Sequence, residues 1–315
     1  MTQLTFAGGN VGRRPYSSGL RDLEALARAN LGVFTTADAA GCGASREMLY
    51  HHSRSGGRWA RPYPGVYVLA DLPADSRRQL LAALVWGGPD STLSHRSAAA
   101  IHGLDGVDRR QPELWTPRQC APTGLVAHRG VVPPTDVVRC GPLRVTSLRR
   151  TVLDLAADSD DDTLELVIES ALRRDRGLEL DPAPGLRGRE RLRRVRARRP
   201  AGAPPTESEL ETRYLQVIRT ANVPPPVRQH RVLDSRGRCL GRLDVCWPDV
   251  GLWVELDGRG SHDRPAALLS DRHRQNELAN LLQWLPLRFT WDDVVERPGA
   301  TASFTANAYE RRAVR

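Results

Sequence analysis

The stretch Arg242–Gly258, RLDVCWPDVGLWVELDG, decides how the second half of the chain is read. Two short apolar, β-prone runs flank the breaker cluster Pro248-Asp249-Val250-Gly251, which predicts two adjacent strands joined by a tight turn. Each strand carries an acid among apolar residues: Asp244 between Leu243 and Val245, and Glu255 between Val254 and Leu256. Side chains alternate across a strand, so Glu255 and Asp257 share a face, with Val254 and Leu256 on the other. With Asp244 facing them across the pair, three carboxylates converge. Without a counter-charge such a cluster is costly or has its pKa values forced up, so it asks for a cation, and a divalent metal is the expected one.

Outward from this stretch, 315 residues at roughly 150 per domain suggest two or three domains. A 40% hydrophobic and 26% charged composition fits a soluble globular protein, and the net charge of +9 leans towards a polyanionic partner. All 46 basic residues are arginine, a bias that, with abundant Ala, Gly and Pro, reports a GC-rich genome more often than a functional choice. DNA is therefore the favoured partner, though not on charge alone. No apolar run approaches the ~20 residues of a membrane span, and MTQLTFAGGNVGRRP has no apolar signal core, so a cytoplasmic protein without a membrane partner is expected. The five cysteines are widely spread and form no Cys-x-x-Cys pair, which argues for reduced thiols rather than a zinc ribbon or disulfide framework.

Residues 1–19 are polar and Gly-rich and are expected as a flexible tail. Leu20, Leu23 and Leu26 make a helical stripe, Thr35 or Thr36 caps a short helix, and Gly41-Cys42-Gly43 turns the chain. Ser45-Arg46-Glu47 opens a second helix running to about Ser55. This is the layout of a helix-turn-helix, and RWARPYPGVYVL adds two strands about Pro64-Gly65 as a wing. Met48, Leu49 and His52 face inwards, which leaves Arg46, Tyr50 and Arg54 on a shared face to enter a DNA major groove, with Arg58 and Arg61 of the wing meeting phosphates. A solvated helix face is the bland alternative. The segment LGVFTTADAAGCGASREMLYHHSRSGGRWARPYPGVYVL resembles the amino-terminal winged helix of AbiEi-family antitoxins. That resemblance implies binding to operator DNA, repression of the protein's own operon and a cognate toxin protein as partner.

Residues 73–183 continue as a mixed α/β domain. RRQLLAALVWGG is an amphipathic helix, and LSHRSAAAIHGL, from Leu93 to Leu104, is another, entered through Ser94. PELWTP, LVAHRGVV and LRVTSL read as short strands, followed by the helices RRTVLDLAAD and TLELVIESALRR on either side of an acidic loop. This part resembles the middle domain of the same antitoxins, the Leu-Ser-His-Arg-Ser-Ala-Ala segment most of all. His95, Ser97 and His102 lack the Gly-x-Ser-x-Gly context of a hydrolase and read as structural. Between Leu186 and Pro200 eight arginines meet one glutamate, an Arg-rich linker over 184–205 that is a helix or a linker laid against phosphates, or a solvated connector.

The last domain is expected over 206–300, with 301–315 as a C-terminal tail. Thr206 is predicted to cap its first helix in a capping box with Glu209, and Glu211 lies deeper, on the same face as Glu207. A strand VRQHRVLD, the opening strand pair, a helix from about Arg264 to Trp284 and the strand PLRFT follow. Helix, three strands, helix and strand, with paired acids on the middle strands, is the core arrangement of restriction-endonuclease-like nucleases. Asp244, Glu255-Leu256-Asp257-Gly258, His262, Asp271-x-x-Arg274 and Arg288-Phe289-Thr290 resemble an uncharacterised branch related to very-short-patch-repair endonucleases.

The whole is thus an α/β (α+β) multidomain chain: a winged helix-turn-helix, a mixed α/β domain and a restriction-endonuclease-like α/β domain. The resemblance implies Mg2+ (or Mn2+) and phosphodiester hydrolysis, since hard oxygen ligands suit magnesium and the metal lowers the pKa of its bound water. Asp244 and Glu255 would be metal ligands, with Asp257 a ligand or water-holder. His262 would move a proton, Arg274 would steady phosphate charge, and Glu211 would be a further ligand or orienting group. The commoner nucleases place a lysine two residues after the second acid, where this chain has Asp257. Two functions follow: a DNA-binding protein with a Mg2+-dependent endonuclease domain in phage defence or DNA repair, or an antitoxin-type repressor whose endonuclease-like domain is inactive.

Overall fold

The computed structural model describes residues 16–108, 110–119, 121–181, 184–200, 202–258, 278 and 280–314. The chain is a mixed α/β protein, with three sheets among the described residues, in two compact units. Unit one takes the chain up to Gly103 together with Val107–Leu155; unit two takes Leu104–Gly106 and the chain from Ala156.

Unit one begins with helix α1 (Tyr16–Ala29), strand β1 (Val33–Thr35) and helices α2 (Thr36–Gly41) and α3 (Arg46–His52), followed by strands β2 (Trp59–Tyr63) and β3 (Val66–Leu69). Thr35 starts α2 through a capping box: its hydroxyl accepts the Asp38 amide while Asp38 accepts the Thr35 amide. The helix ends on Gly43 at φ +79°, whose αL backbone lets the Ala44 amide reach the Ala39 carbonyl and turns the chain into α3. Ser45 caps α3 by accepting the Met48 amide at 3.1 Å. The sheet order is β1-β3-β2, and the Thr36 amide donates to the Gly65 carbonyl at 3.0 Å, so the wing's turn is tied to the start of α2. Leu23, Phe34, Met48, Leu49 and Trp59 fill the space between the helices and the wing.

The rest of unit one comprises helix α4 (Ser76–Gly87), strand β4 (Thr92–Leu93), helix α5 (His95–His102) and strands β5 (Glu113–Thr116), β6 (Val126–Arg129), β7 (Val137–Cys140) and β8 (Leu143–Thr146). Its five strands run in the order β6-β5-β4-β8-β7. Helix α6 (Leu148–Asp158) follows and carries the boundary between the units. Val33, Tyr63 and Val66 of the winged helix share one core with Leu81 and Trp86 of α4 and with Leu93, Leu114, Leu143 and Val145 of the sheet. The division expected after residue 72 therefore crosses a continuous apolar core. Strands β4 and β7 were not expected from the sequence, β4 because it has two residues and β7 because its apolar residues are partly exposed at the sheet edge.

Unit two contains helices α7 (Asp161–Arg174), α8 (Arg189–Arg196) and α9 (Glu209–Ile218), strands β9 (Val227–Leu233), β10 (Cys239–Trp247), β11 (Leu252–Asp257) and β12 (Leu285–Thr290), and helices α10 (Trp291–Val295) and α11 (Pro298–Ala313). The sheet order is β12-β11-β10-β9, with β9, β10 and β11 antiparallel in succession and β12 parallel to β11. Leu210, Tyr214 and Ile218 of α9 pack on Val245, Trp247, Leu252 and Val254.

One open reading is narrowed here and two expectations are corrected. The Arg-rich linker contains the helix α8, which packs on α7: Arg194 and Arg198 bind Asp161, Arg198 also reaches Asp162 and Glu165, and Arg196 binds Asp181. These pairs consume charge that a phosphate track would need, which favours the connector. The cap of α9 is Ser208, accepting the Glu211 amide at 3.1 Å, rather than Thr206. Thr206 is buried and engaged elsewhere, its amide donating to Glu169 Oε2 and its hydroxyl bonded to Thr212 Oγ1. The tail expected over 301–315 is instead most of α11, with Thr301, Ala302, Thr305 and Ala308 buried and Tyr214 Oη bonded to Thr305 Oγ1 at 3.1 Å.

Candidate functional site

The carboxylates of unit two lie where β10 and β11 part. Their ladder pairs Val245 with Val254, and beyond that pair the Leu256 amide donates to Asp244 Oδ2 at 3.1 Å. Asp257 is held by both guanidinium arms of Arg288, Nε at 2.7 Å and Nη2 at 3.0 Å. Glu255 sits beside Arg288 in the parallel ladder; the hydrogen bonds to Asp257, and then the charges of Asp257 and Glu255, hold Arg288 above its ordinary pKa. Glu211 is buried at the start of α9, its Oε2 accepting the Glu207 amide at 2.9 Å and Gln229 Nε2 at 2.7 Å. Burial pushes Glu211 up to about 7, with Asp244 adding repulsion. Asp244 is likewise raised, first by burial and then by Glu207 and Asp257, against the opposing charge of Arg242. Arg242 is itself ion-paired with Glu207.

These acids are electrostatically coupled and offer oxygen donors, the ligand chemistry that Mg2+ or Mn2+ takes. The expected convergence of Asp244, Glu255 and Asp257 is corrected: among the described residues their ligand atoms do not all lie within 4.8 Å of one another, because Asp257 is drawn to Arg288 and Asp244 to the Leu256 amide. His262 and Arg274 lie outside the described residues. Gln229, held at φ +53°, and Arg242 were not singled out in the sequence: Gln229 meets Glu211 of α9 from β9, and Arg242, two residues before Asp244 on β10, pairs with Glu207.

In unit one, Arg46, Tyr50 and Arg54 are all exposed, while Met48 and Leu49 are buried beneath them. Helix α3 ends at His52, one turn earlier than expected, so Arg54 lies beyond it, its guanidinium 5.7 Å from the Tyr50 ring centroid. The Ser53 amide closes the helix on the Leu49 carbonyl, and Gly56 and Gly57 carry the chain towards the wing. Arg58 is paired with Glu24 at 2.7 Å, and Arg61 sits over the Tyr67 ring at 5.9 Å. A solvent-facing helix that carries an arginine and an aromatic, with Arg54 just past its end and a hairpin bracing it, is a layout that suits a major groove. Residues 21–70 match the family described as transcriptional regulator, AbiEi antitoxin. Over these residues unit one thus holds a winged helix similar to that of AbiEi antitoxin regulators.

Two relatives extend beyond that module. The uncharacterized protein Rv2248 of Mycobacterium tuberculosis (strain ATCC 25618 / H37Rv) is 26% identical over 272 residues, covering 85% of this chain and 98% of its own length. The uncharacterized protein MT2308 of strain CDC 1551 / Oshkosh aligns to the same extent. The crystal structure of the RV2827C protein from Mycobacterium tuberculosis matches 59% of this chain and 83% of its own at 19% identity and a TM-score of 0.33. Among the described residues no helix is long and apolar enough to cross a membrane.

A second polar centre of unit one involves residues that the sequence read as structural. His95, the first residue of α5, has φ +46° and stacks on His128 of β6, ring centroids 3.7 Å apart. His128 Nε2 lies 2.9 Å from Glu113 Oε1. Burial drives the His95 pKa down to about 3, with the neighbouring His128 adding to the effect. Ser97, read with them, accepts the Glu113 amide at 2.8 Å, and His102 Nε2 binds the Thr146 carbonyl at 2.8 Å. Both are tied into the backbone rather than arranged as a nucleophile and base.

Proposed function

We propose that this protein is a DNA-binding regulator of the antitoxin kind, with α3 as its reading helix and a cognate toxin protein as its partner. The observation that carries this is the exposed Arg46-Tyr50 face on a capped α3, within the residues that match the AbiEi family. Replacing Arg46 and Tyr50 with alanine is expected to weaken binding to the protein's own upstream DNA by roughly 10- to 100-fold, on the order of 1–3 kcal/mol. Both side chains are exposed, so the melting temperature should stay put. Fluorescence anisotropy on a labelled duplex measures this, and unchanged affinity would remove α3 from the interface.

A second activity, metal-dependent DNA hydrolysis by unit two, is favoured by its helix, three antiparallel strands and parallel fourth strand, and by the raised acids Glu211 and Asp244. When bound, Mg2+ or Mn2+ would polarise a phosphate and acidify its water. Asp244 and Glu255 would hold it, with Asp257, once released from Arg288, as a ligand or water-holder; Glu211 would orient Asp244, and His262 and Arg274 would act on the proton and the phosphate. Supercoiled plasmid with Mg2+ is expected to be nicked by the wild type and left intact by Asp244→Ala and Glu255→Ala. Equal nicking by the variants, or none by the wild type with either metal, sinks the enzymatic reading and leaves a repressor with an inactive nuclease-like unit.

A further inference from the structure

We infer that His95, Glu113 and His128 form a binding site for one divalent first-row transition ion of the zinc class. Among the described residues they are the one trio of His, Cys, Asp or Glu whose ligand atoms all lie within 4.8 Å of one another. In a tetrahedral site with metal–ligand distances of about 2.0–2.2 Å, ligand atoms lie roughly 3.3–3.6 Å apart. Closing the trio therefore takes a tilt of the His95 and His128 rings out of their stack, now 15° from parallel with centroids 3.7 Å apart, so that both coordinating nitrogens face one point.

Three elements converge to place these side chains. Glu113 opens β5 and His128 lies on the neighbouring β6, whose parallel register sets His128 beside Trp115, two residues on from Glu113 and on the same face of β5. His95 is brought over them by a left-handed backbone that a non-glycine residue adopts at a cost, a form of strain that collects at ligand sites.

The surroundings orient the donors as second partners do around a metal. His95 Nδ1 lies 2.9 Å from Ser94 Oγ, which directs Nε2 as the coordinating nitrogen. Glu113 Oε2 accepts the Arg96 amide at 3.0 Å, which fixes the carboxylate and leaves Oε1 towards His128. The ion takes the place of the proton between His128 Nε2 and Glu113 Oε1, and that proton is released to solvent. His95 and Glu113 are buried, whereas the His128 side chain is 20% exposed, so the ion enters on the His128 side and a water completes the coordination there. Two imidazoles and one carboxylate select zinc-class ions over Mg2+ or Ca2+, which separates this site chemically from the all-oxygen cluster of unit two.

The test uses the full chain, stripped with chelator, loaded with zinc chloride and dialysed. Wild type is expected to retain about one zinc, to release protons on uptake and to melt at a higher temperature with zinc than without. His128→Phe keeps a ring against His95 and removes the ligand; it should fold normally and lose the zinc and the thermal shift. A double His51→Gln, His52→Gln variant, which changes histidines of α3, and Asp244→Asn should both keep the ion. A chelator-stripped wild type that retains no zinc, or a His128→Phe protein that retains it equally, overturns the proposal and leaves a hydrogen-bonded polar cluster only.

Discussion

Replacing Glu211 with glutamine is expected to stabilise unit two by up to roughly 3 kcal/mol at about pH 8 and to change little near pH 4. Burial holds the folded carboxyl at about 7, above its ordinary value of 4.5, and the Asp244 carboxylate adds to that shift. Between those values the folded state binds more protons than the unfolded one. The protonated carboxyl's contribution is therefore complete below the unfolded pKa and is lost as pH rises through the folded pKa. A glutamine carbonyl still accepts from the Glu207 amide and Gln229, as Glu211 Oε2 does, and its amide offers Asp244 a donor in place of a repelling charge. Chemical denaturation of both proteins across this pH range measures the difference. Parallel stability curves would show that Glu211 does not carry the excess charge. Magnesium offers a further reading of the same cluster: a cation bound beside these acids narrows the gap at the alkaline end, where the carboxylates are ionised.

Glu169→Ala is expected to destabilise the same unit by about 3–5 kcal/mol, because it breaks a buried ion pair from one side. Glu169 Oε2 accepts the Thr206 amide at 2.9 Å, and Oε1 faces Arg228 Nη1 at 3.7 Å, with side chains only 5% and 9% exposed. Alanine strands the guanidinium of Arg228 and leaves the Thr206 N–H without its acceptor, and both groups are then desolvated without compensation. Glutamine in the same place restores the hydrogen bond without the charge, so its loss should be smaller. Combining Glu169→Leu with Arg228→Met should recover most of the stability, since an apolar pair of similar size escapes the desolvation cost. An alanine variant within about 1 kcal/mol of wild type would show that the pair is solvated enough to be dispensable.

Much of this fold was legible along the chain. Thr35, Ser45 and Gly43 announce the helices and turn of the winged helix because capping and αL geometry act within a few residues, and they do so here. The alternation in Leu252–Asp257 likewise sorted Val254 onto the α9 core and left the acids off it. Local signals failed where a distant group competed for the same atoms. Thr206 has the chemistry of a cap, yet Glu169, Thr212 and Arg173 engage it, and Ser208 caps instead.

The candidate sites divide in the same way. The sequence alone determined that α3 would present Arg46 and Tyr50 to solvent, since helical periodicity and the buried Met48 and Leu49 leave them no other side. It also determined that β10 and β11 would carry acids. Tertiary structure alone decided what those acids meet, Arg288 for Asp257 and the Leu256 amide for Asp244, and that Gln229 meets Glu211 of α9 beside them. It also decided that His95, dismissed as structural beside Ser97 and His102, stands with Glu113 and His128. The physical reason is range. Caps, turns and amphipathic faces are set by neighbours in the chain, whereas desolvation, ion pairing and metal-ligand geometry depend on groups that only folding brings together.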